Sequence, residues 1–534
     1  MKAAIGFFCA LCCATSLGAA PRPRHNLKAK QASAADHLGS VNFATSCSPD
    51  AQKTFNTALA MLHDFQYQQA EQTFTQITQQ DPTCAMAYWG KAMSLYHQLW
   101  DWPTADTLKE GHDDTMQAQK LRAPTERERM YIVAAGVFFQ NNPNLSKASR
   151  IKAYSDWMNR IFTKNPDDVN AGAFYALSLI TLPGDKSDED ANRKQAIDIL
   201  NKLMAVAPNN PGVLHYLIHA SDTPDLASQG LVAARRYGAI APDSSHALHM
   251  PSHIFVRLGM WDDSINANLA AEAAAVHAAQ LGGSQAMDYQ IHAMDFLDYS
   301  YLQSGQAAKA RALIAALATV PGASAADVSN MQAVFGARNA MELHQWNDAA
   351  ALPIPPSGGP VAMTYLVKTI GAARSGDASG AQQYLAKYQE AVNAAGADAE
   401  YSVASSASVG QKEAQAWVAF AGGKTNDALT LMRAAVLDEQ KQVGDSDSLS
   451  TPAREMLGDL LLAMKKPSEA LTEYKRSLQD SPNRFNSLYG AAQAAQLAGR
   501  ATEAREFLAR LVKTCAPDAD RPELQQARVE LAKK

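Results

Sequence analysis

The sequence predicts an all-α chain in which antiparallel helix pairs stack into a right-handed α-solenoid, with two arrays in series. One pattern occurs in distant parts of the chain: an alanine, an aromatic residue four positions later, and a proline eight positions after that. Its copies lie at Ala70, Phe74 and Pro82 and at Ala470, Tyr474 and Pro482. In addition, pairs of histidines recur 34 residues apart, a separation that fits one helix pair per repeat.

The spacing of small residues and prolines explains why such segments pair. Small residues at a helix crossing let two helices approach closely, and proline ends the second helix. The pattern resembles the second half of a tetratricopeptide repeat (TPR), and Gly458 fits its first half. Gly259, Gly305 and Gly499 resemble the turn glycines of further copies, and the resemblance covers most of residues 46–534. It implies a concave groove that binds a peptide or protein partner.

Breaks in the repeat divide the chain into segments. The expected segments are a signal peptide (1–20), a flexible linker (21–45), an N-terminal TPR-like array with a His-rich groove (46–352), a Pro/Gly linker (353–360) and a C-terminal TPR array (361–534). The Pro/Gly linker is predicted from LPIPPSGGP, which cannot continue a helix. The stretch WDWPTADTLKEGHDD, residues 100–114, is expected to be a long inserted loop.

The first residues have the layout of a secretory signal peptide. Met1 and Lys2 precede an apolar run that extends to Leu17 and closes on small residues, with cleavage expected near Ala19. We therefore expect a periplasmic or secreted protein. No later stretch has the roughly 20 continuous apolar residues of a membrane span. The net charge of −5 lacks the basic character of nucleic-acid-binding proteins. Neither membrane insertion nor nucleic-acid binding is expected.

Three cysteines remain after removal of the signal peptide. Cys47 and Cys84 each precede the first helix of successive repeats, where helix starts lie side by side, and Cys515 is far from both in sequence. An oxidising compartment would allow a Cys47–Cys84 disulfide. The alternative is a pair of buried thiols.

Histidines concentrate in one short region. Five of the thirteen lie between residues 215 and 253: His215, His219, His246, His249 and His253. His215 and His249 are 34 residues apart, as are His219 and His253, so they occupy equivalent positions on the first helices of adjacent repeats. Residues four apart share a helix face, which makes each pair a potential bidentate metal chelate.

The next repeat places further polar residues in register with this band. His292, Asp295 and Tyr299 fall at equivalent positions of its first helix, and Asp222 follows the first histidine pair. Arg338 has a weaker register. We predict metal ligands among the five histidines, His292 and Asp295, and supporting or groove positions at Asp222, Tyr299 and Arg338.

Neutral imidazoles are common ligands of zinc, copper and iron, and a carboxylate also admits manganese. The sequence therefore predicts a transition-metal site, although it does not identify the metal. Two alternatives remain: a metal-free ligand or peptide pocket, and histidines that only hydrogen-bond one another. Pro251 interrupts the helix between His249 and His253 and is expected to redirect their rings.

Two classes of function follow from this site. The protein is either a binding module that holds a peptide or protein partner, or a metal-dependent enzyme, hydrolytic or oxidative, that uses the same His/Asp/Tyr cluster. The chain has no HExxH, GxSxG, Gly-rich phosphate loop or paired CxxC motif. The segments HYLIHASDTP and APDSSHALHMPSHIF resemble those of exported bacterial TPR proteins of uncharacterised function, so this resemblance implies no activity.

Overall fold

Helices account for the regular structure of the chain. A computed structural model describes residues 37–99, 102–283, 285–395, 403–442 and 449–533. These residues contain no β-strand. The prediction of an all-α solenoid of TPR-like helix pairs is confirmed.

The described residues form two compact units, divided after Ile254. We call the unit up to Ile254 the N-unit and the unit from Phe255 onward the C-unit. The predicted signal peptide and residues 21–36 lie outside the described residues. The Pro/Gly segment 353–360 is predicted to separate two arrays. It instead lies inside the C-unit, and its last two residues begin the helix that starts at Gly359.

The N-unit is built from short helices joined by tight turns. They are α1 (Pro49–His63), α2 (Tyr67–Gln80), α3 (Ala85–Ser94), α4 (Ala105–Lys120), α5 (Glu126–Phe138), α6 (Lys147–Lys164), α7 (Val169–Ile180), α8 (Lys186–Val206), α9 (Pro211–Ser221), α10 (Ala227–Ile240) and α11 (Ser245–His249). The division between the units falls within α12 (Pro251–Arg257).

The C-unit continues the same arrangement. Its helices are α13 (Trp261–Gln280), α14 (Ala286–Gln303), α15 (Ala307–Ala316), α16 (Ala325–Glu342), α17 (Trp346–Ala351), α18 (Gly359–Ser375), α19 (Ala378–Ala395), α20 (Val403–Ala421), α21 (Thr425–Glu439), α22 (Ala453–Ala463), α23 (Pro467–Asp480), α24 (Phe485–Leu497), α25 (Ala501–Thr514) and α26 (Pro522–Ala532). None of the described helices of either unit is long and apolar enough to cross a membrane.

The repeat pattern sets the spacing of these helices. The Tyr474 ring packs against Gly458 on α22 and Gly490 on α24, where an added Cβ atom would lie 2.7 and 2.4 Å from the ring. Glycine is therefore needed at both crossings. The turn glycines Gly259 and Gly305 have φ values of 64° and 80°, in the left-handed region that glycine adopts at low cost.

Two expectations about irregular segments need correction. The predicted inserted loop is helical from Ala105, because Thr104 caps α4 through a hydrogen bond from Thr107 N–H to its side chain. Residues 37–45 lie at the end of the predicted flexible linker. They are not part of a repeat helix, but they pack against the repeat helices. Phe43 is fully buried and contacts the Trp89 ring, with ring centroids 5.7 Å apart.

A buried ion-pair network links distant parts of the C-unit. Arg484, which precedes α24, donates to Glu342 at 2.6 Å, to Glu455 at 2.8 Å and to the Tyr299 hydroxyl at 2.7 Å. Burying a guanidinium is costly unless charge partners and hydrogen bonds compensate, and here two carboxylates do so. The network holds α14, α16, α22 and α24 in register.

The predicted Cys47–Cys84 disulfide is present, with Cα atoms 4.8 Å apart. It joins the residue before the Ser48 cap of α1 to the residue that precedes α3. The cross-link therefore joins the starts of the first helices of two successive pairs, α1 and α3. Cys515 is a free, partly exposed cysteine.

We predict that a Cys47→Ser/Cys84→Ser variant loses roughly 2–4 kcal/mol of unfolding free energy, because the cross-link restricts the unfolded chain. Urea unfolding followed by circular dichroism measures this loss. A Cys515→Ser variant is the matched control and keeps wild-type stability. Equal stability of the double variant and the control would contradict the predicted role of the disulfide.

A second prediction concerns Glu413 on α20. Burial raises its pKa to about 8, and the nearby carboxylate of Glu439 adds to the shift. The folded state therefore retains this proton while the unfolded state releases it, so the unfolding free energy falls as pH rises from about 4.5 to about 8.

A Glu413→Gln variant removes this pH-dependent contribution to the unfolding free energy. Its unfolding free energy relative to that of the wild type should rise between about pH 4.5 and about pH 8. The rise is at most about 1.4 kcal/mol for each unit by which the Glu413 pKa is raised. Urea unfolding at pH 5, 6.5 and 8 measures the difference. A stability difference that does not change with pH would refute the assignment.

Candidate metal centre

Three buried histidines of the N-unit point their Nε2 atoms toward one another. We call His215, His219 and His246 the histidine triad. His215 and His219 lie on α9, which Asn210 caps, and His246 lies on α11. The Nε2 atom of His215 is 3.1 Å from that of His219 and 3.0 Å from that of His246. All three side chains are at most 5% exposed.

A backbone contact fixes the tautomer of the central histidine. His215 Nδ1 lies 2.7 Å from the carbonyl oxygen of His63, and because a carbonyl only accepts, Nδ1 must carry the hydrogen. Burial, reinforced by His219, holds the pKa of His215 well below its usual range. The ring is therefore neutral, and its Nε2 atom presents a lone pair to the other two histidines.

One lone pair cannot satisfy two imidazoles at once. An sp² nitrogen accepts one well-directed hydrogen bond, whereas two Nε2 atoms approach His215 to hydrogen-bond distance. A metal ion between the rings would bind all three lone pairs. A tetrahedral ion with nitrogens about 2.0 Å away separates those nitrogens by about 3.3 Å, close to the spacings seen here.

Aromatic rings enclose the triad. The Phe65 ring centroid lies 4.3 Å from that of His215 and 5.7 Å from that of His219. Tyr237 on α10 stacks on His215 with centroids 5.2 Å apart. Phe65 occupies the turn after α1 with φ = 57°, a conformation that costs a non-glycine residue roughly 1–2 kcal/mol. The strain places an aromatic ring over the triad, as unusual backbone often does at functional sites.

The turn that carries Phe65 is held by buried polar residues. His63 contacts Asn170 Oδ1 through Nε2 at 3.0 Å and the Tyr216 hydroxyl through Nδ1 at 2.9 Å. Burial lowers the pKa of His63 to about 4. Burial also raises the pKa of Asp64 to about 6, although a hydrogen bond from the Tyr237 hydroxyl opposes the rise. His63 is thus a neutral structural residue at the edge of the site.

Two further histidines of the N-unit form a separate contact. We call His249 and His253 the histidine pair; their Nε2 atoms are 3.0 Å apart. His253 Nδ1 donates to Asp222 Oδ2 at 2.9 Å, so Nε2 is left as the donor atom for a metal. As expected from Pro251, the helix is interrupted here: α11 ends at His249 and α12 begins at Pro251.

The remaining predicted residues belong to the C-unit. His292, on α14, packs its ring against Phe296 with centroids 5.3 Å apart. Asp295 accepts a hydrogen bond from Arg338 at 2.6 Å. Within this unit, the buried Arg338 guanidinium and the partly exposed Asp295 carboxylate therefore form an ion pair.

Tyr299 belongs to the charge network described above, where its hydroxyl accepts a hydrogen bond from Arg484. Its ring packs edge-on against Trp261, with centroids 5.8 Å apart. These contacts give Tyr299 a structural role in the C-unit.

The sequence analysis did not identify Phe65, Asp64 or Tyr237 as part of the site. Phe65 lies two residues after His63 in LAMLHDF, at the turn position that Gly259 and Gly305 occupy in two other repeats. A bulky residue at an expected turn glycine is the signal that could have revealed it. Tyr237 lies on the second helix of its pair, which the histidine register does not include.

Chemically, the triad is an all-nitrogen ligand set of three imidazoles. Three imidazoles without thiolate favour zinc, copper or iron over manganese, which prefers oxygen ligands. The low exposure of the rings and the Phe65 cover favour retention of an ion over rapid exchange. The site is thus suited to stable metal binding.

Similarity to known proteins is confined to the repeat. Residues 461–530 match the family model described as tetratricopeptide repeat. A human IFIT1 dimer with m7Gppp-AAAA is 13% identical, with 80% of this chain and 90% of that chain covered and a TM-score of 0.36. A tetratricopeptide repeat protein from Parabacteroides merdae is 12% identical, with 54% and 97% covered and a TM-score of 0.29.

At these TM-scores neither structure bears on the shape or the function of this chain. No protein with a curated function is detectably similar to it in sequence. The family match at residues 461–530 lies on α22 to α26, and the same helix pairs recur through the described residues. Residues 461–530 therefore contain tetratricopeptide repeats.

Proposed function

We propose that this TPR protein is an exported metal-binding scaffold whose N-unit holds a transition-metal ion on the histidine triad. The observation that carries the proposal is the convergence of three buried Nε2 atoms. The Nε2 atom of His215 lies 3.1 Å from that of His219 and 3.0 Å from that of His246. Neutral, buried and oriented imidazoles are the form in which histidine binds metals.

Two observations support export to the periplasm or the medium. The sequence begins with a segment that has signal-peptide character. The Cys47–Cys84 disulfide is of the kind that persists in oxidising compartments and is rare in the cytosol.

A TPR solenoid is suited to binding a ligand or a protein partner. We propose a peptide or protein segment as the partner. Support comes from a cavity of about 300 Å³ in the C-unit, whose lining includes Arg374, Asp459, Asn486 and Gln493. Side chains of these types hydrogen-bond the amides and charged groups of extended peptides. The metal would then stabilise the helix pairs of the N-unit.

The test is elemental analysis of the mature, untagged protein, recovered from its exported form without chelators. We expect at least one transition-metal ion per chain and the loss of one ion in a His219→Ala/His246→Ala variant. A His277→Ala variant, which removes an exposed histidine of the C-unit, is the matched control and keeps the wild-type content.

Metal binding should also stabilise the fold, by about 2.7 kcal/mol when free metal exceeds the Kd a hundredfold. A thermal melt should therefore shift upward by several degrees on metal addition in the wild type and in the control, but not in the triad variant. Wild-type metal content and the same thermal response in the triad variant would exclude this site.

A further inference from the structure

The histidine pair repeats the chelate of α9 one TPR later. His249 and His253 lie 34 residues after His215 and His219, and the Nε2 atoms are 3.0 Å apart in one pair and 3.1 Å apart in the other. His215 and His219 share one face of α9, whereas His249 ends α11 and His253 lies on α12, beyond the interruption at Pro251. The repeat has thus placed two histidine pairs with similar Nε2 spacing in adjacent repeats.

Asp222 orients the second chelate. Its carboxylate, 2% exposed, accepts a hydrogen bond from His253 Nδ1. An ionised carboxylate can only accept, so His253 carries its hydrogen on Nδ1, and its Nε2 lone pair is directed at His249. Carboxylate–histidine contacts of this kind orient metal ligands and raise their basicity.

One ion cannot bind both chelates. Nitrogens that share an ion at about 2.0–2.1 Å lie no more than about 4.2 Å apart. The donor atoms of the triad all lie within 4.8 Å of one another, and the pair does not belong to that set. The two chelates are nevertheless neighbours, because the His219 and His253 ring centroids are 6.3 Å apart.

We propose that the histidine pair binds a second transition-metal ion beside the ion of the triad, so that the N-unit carries a two-metal centre. This inference rests on the proposed metal binding by the triad.

The experiment counts metal ions in the full mature chain after reconstitution with Zn²⁺ and gel filtration. We expect two ions per chain in the wild type and in the His277→Ala control, and one in a His249→Ala/His253→Ala variant. An Asp222→Asn variant keeps both ligands but loses their orientation. It should bind the second ion about 10–100-fold more weakly and the first ion with unchanged affinity.

The outcomes separate the two proposals. One ion in the wild type that persists in the pair variant overturns the second site and leaves the triad intact. Absence of metal from the wild type overturns both proposals. Two ions in the pair variant, or equal affinities in wild type and Asp222→Asn, would also refute the assignment.

Discussion

The hydrogen bond between His215 Nδ1 and the carbonyl oxygen of His63 is the contact on which the candidate centre depends. A buried ring N–H without an acceptor costs roughly 1–3 kcal/mol, so the end of α1 and the middle of α9 are held together. The same bond leaves the Nε2 lone pair of His215 facing His219 and His246. A backbone carbonyl thereby determines which ring nitrogen is available to a metal.

The turn after α1 adapts to this arrangement. Several turns of the solenoid, such as those at Gly259 and Gly305, have glycine in the left-handed region, whereas this turn has Phe65 there, at a conformational cost. In return, an aromatic ring covers the triad and excludes water from it. Exclusion of water keeps the imidazoles neutral and strengthens their electrostatic interaction with a bound cation. One turn of the repeat therefore determines both the burial of the triad and the neutral state of its imidazoles.

Much of the fold could be predicted from the sequence, because TPR packing requires small residues and prolines at fixed spacing. The turn glycines, the pairing of Cys47 with Cys84 and the placement of histidine pairs on first helices follow from that spacing. The division of the units after Ile254 could not be predicted, since it has no Pro/Gly signal. Likewise, the separation of the histidines into a triad and a pair depends on ring orientations, which spacing alone does not fix.

The central claim is that imidazole nitrogens of the triad bind a metal directly. X-ray absorption spectroscopy at the edge of the bound metal tests it in the intact protein. We expect nitrogen neighbours at about 2.0–2.1 Å with the multiple-scattering pattern of at least three imidazoles, reduced in the His219→Ala/His246→Ala variant. A first shell made of oxygen alone, or one that the triad variant leaves unchanged, would contradict it.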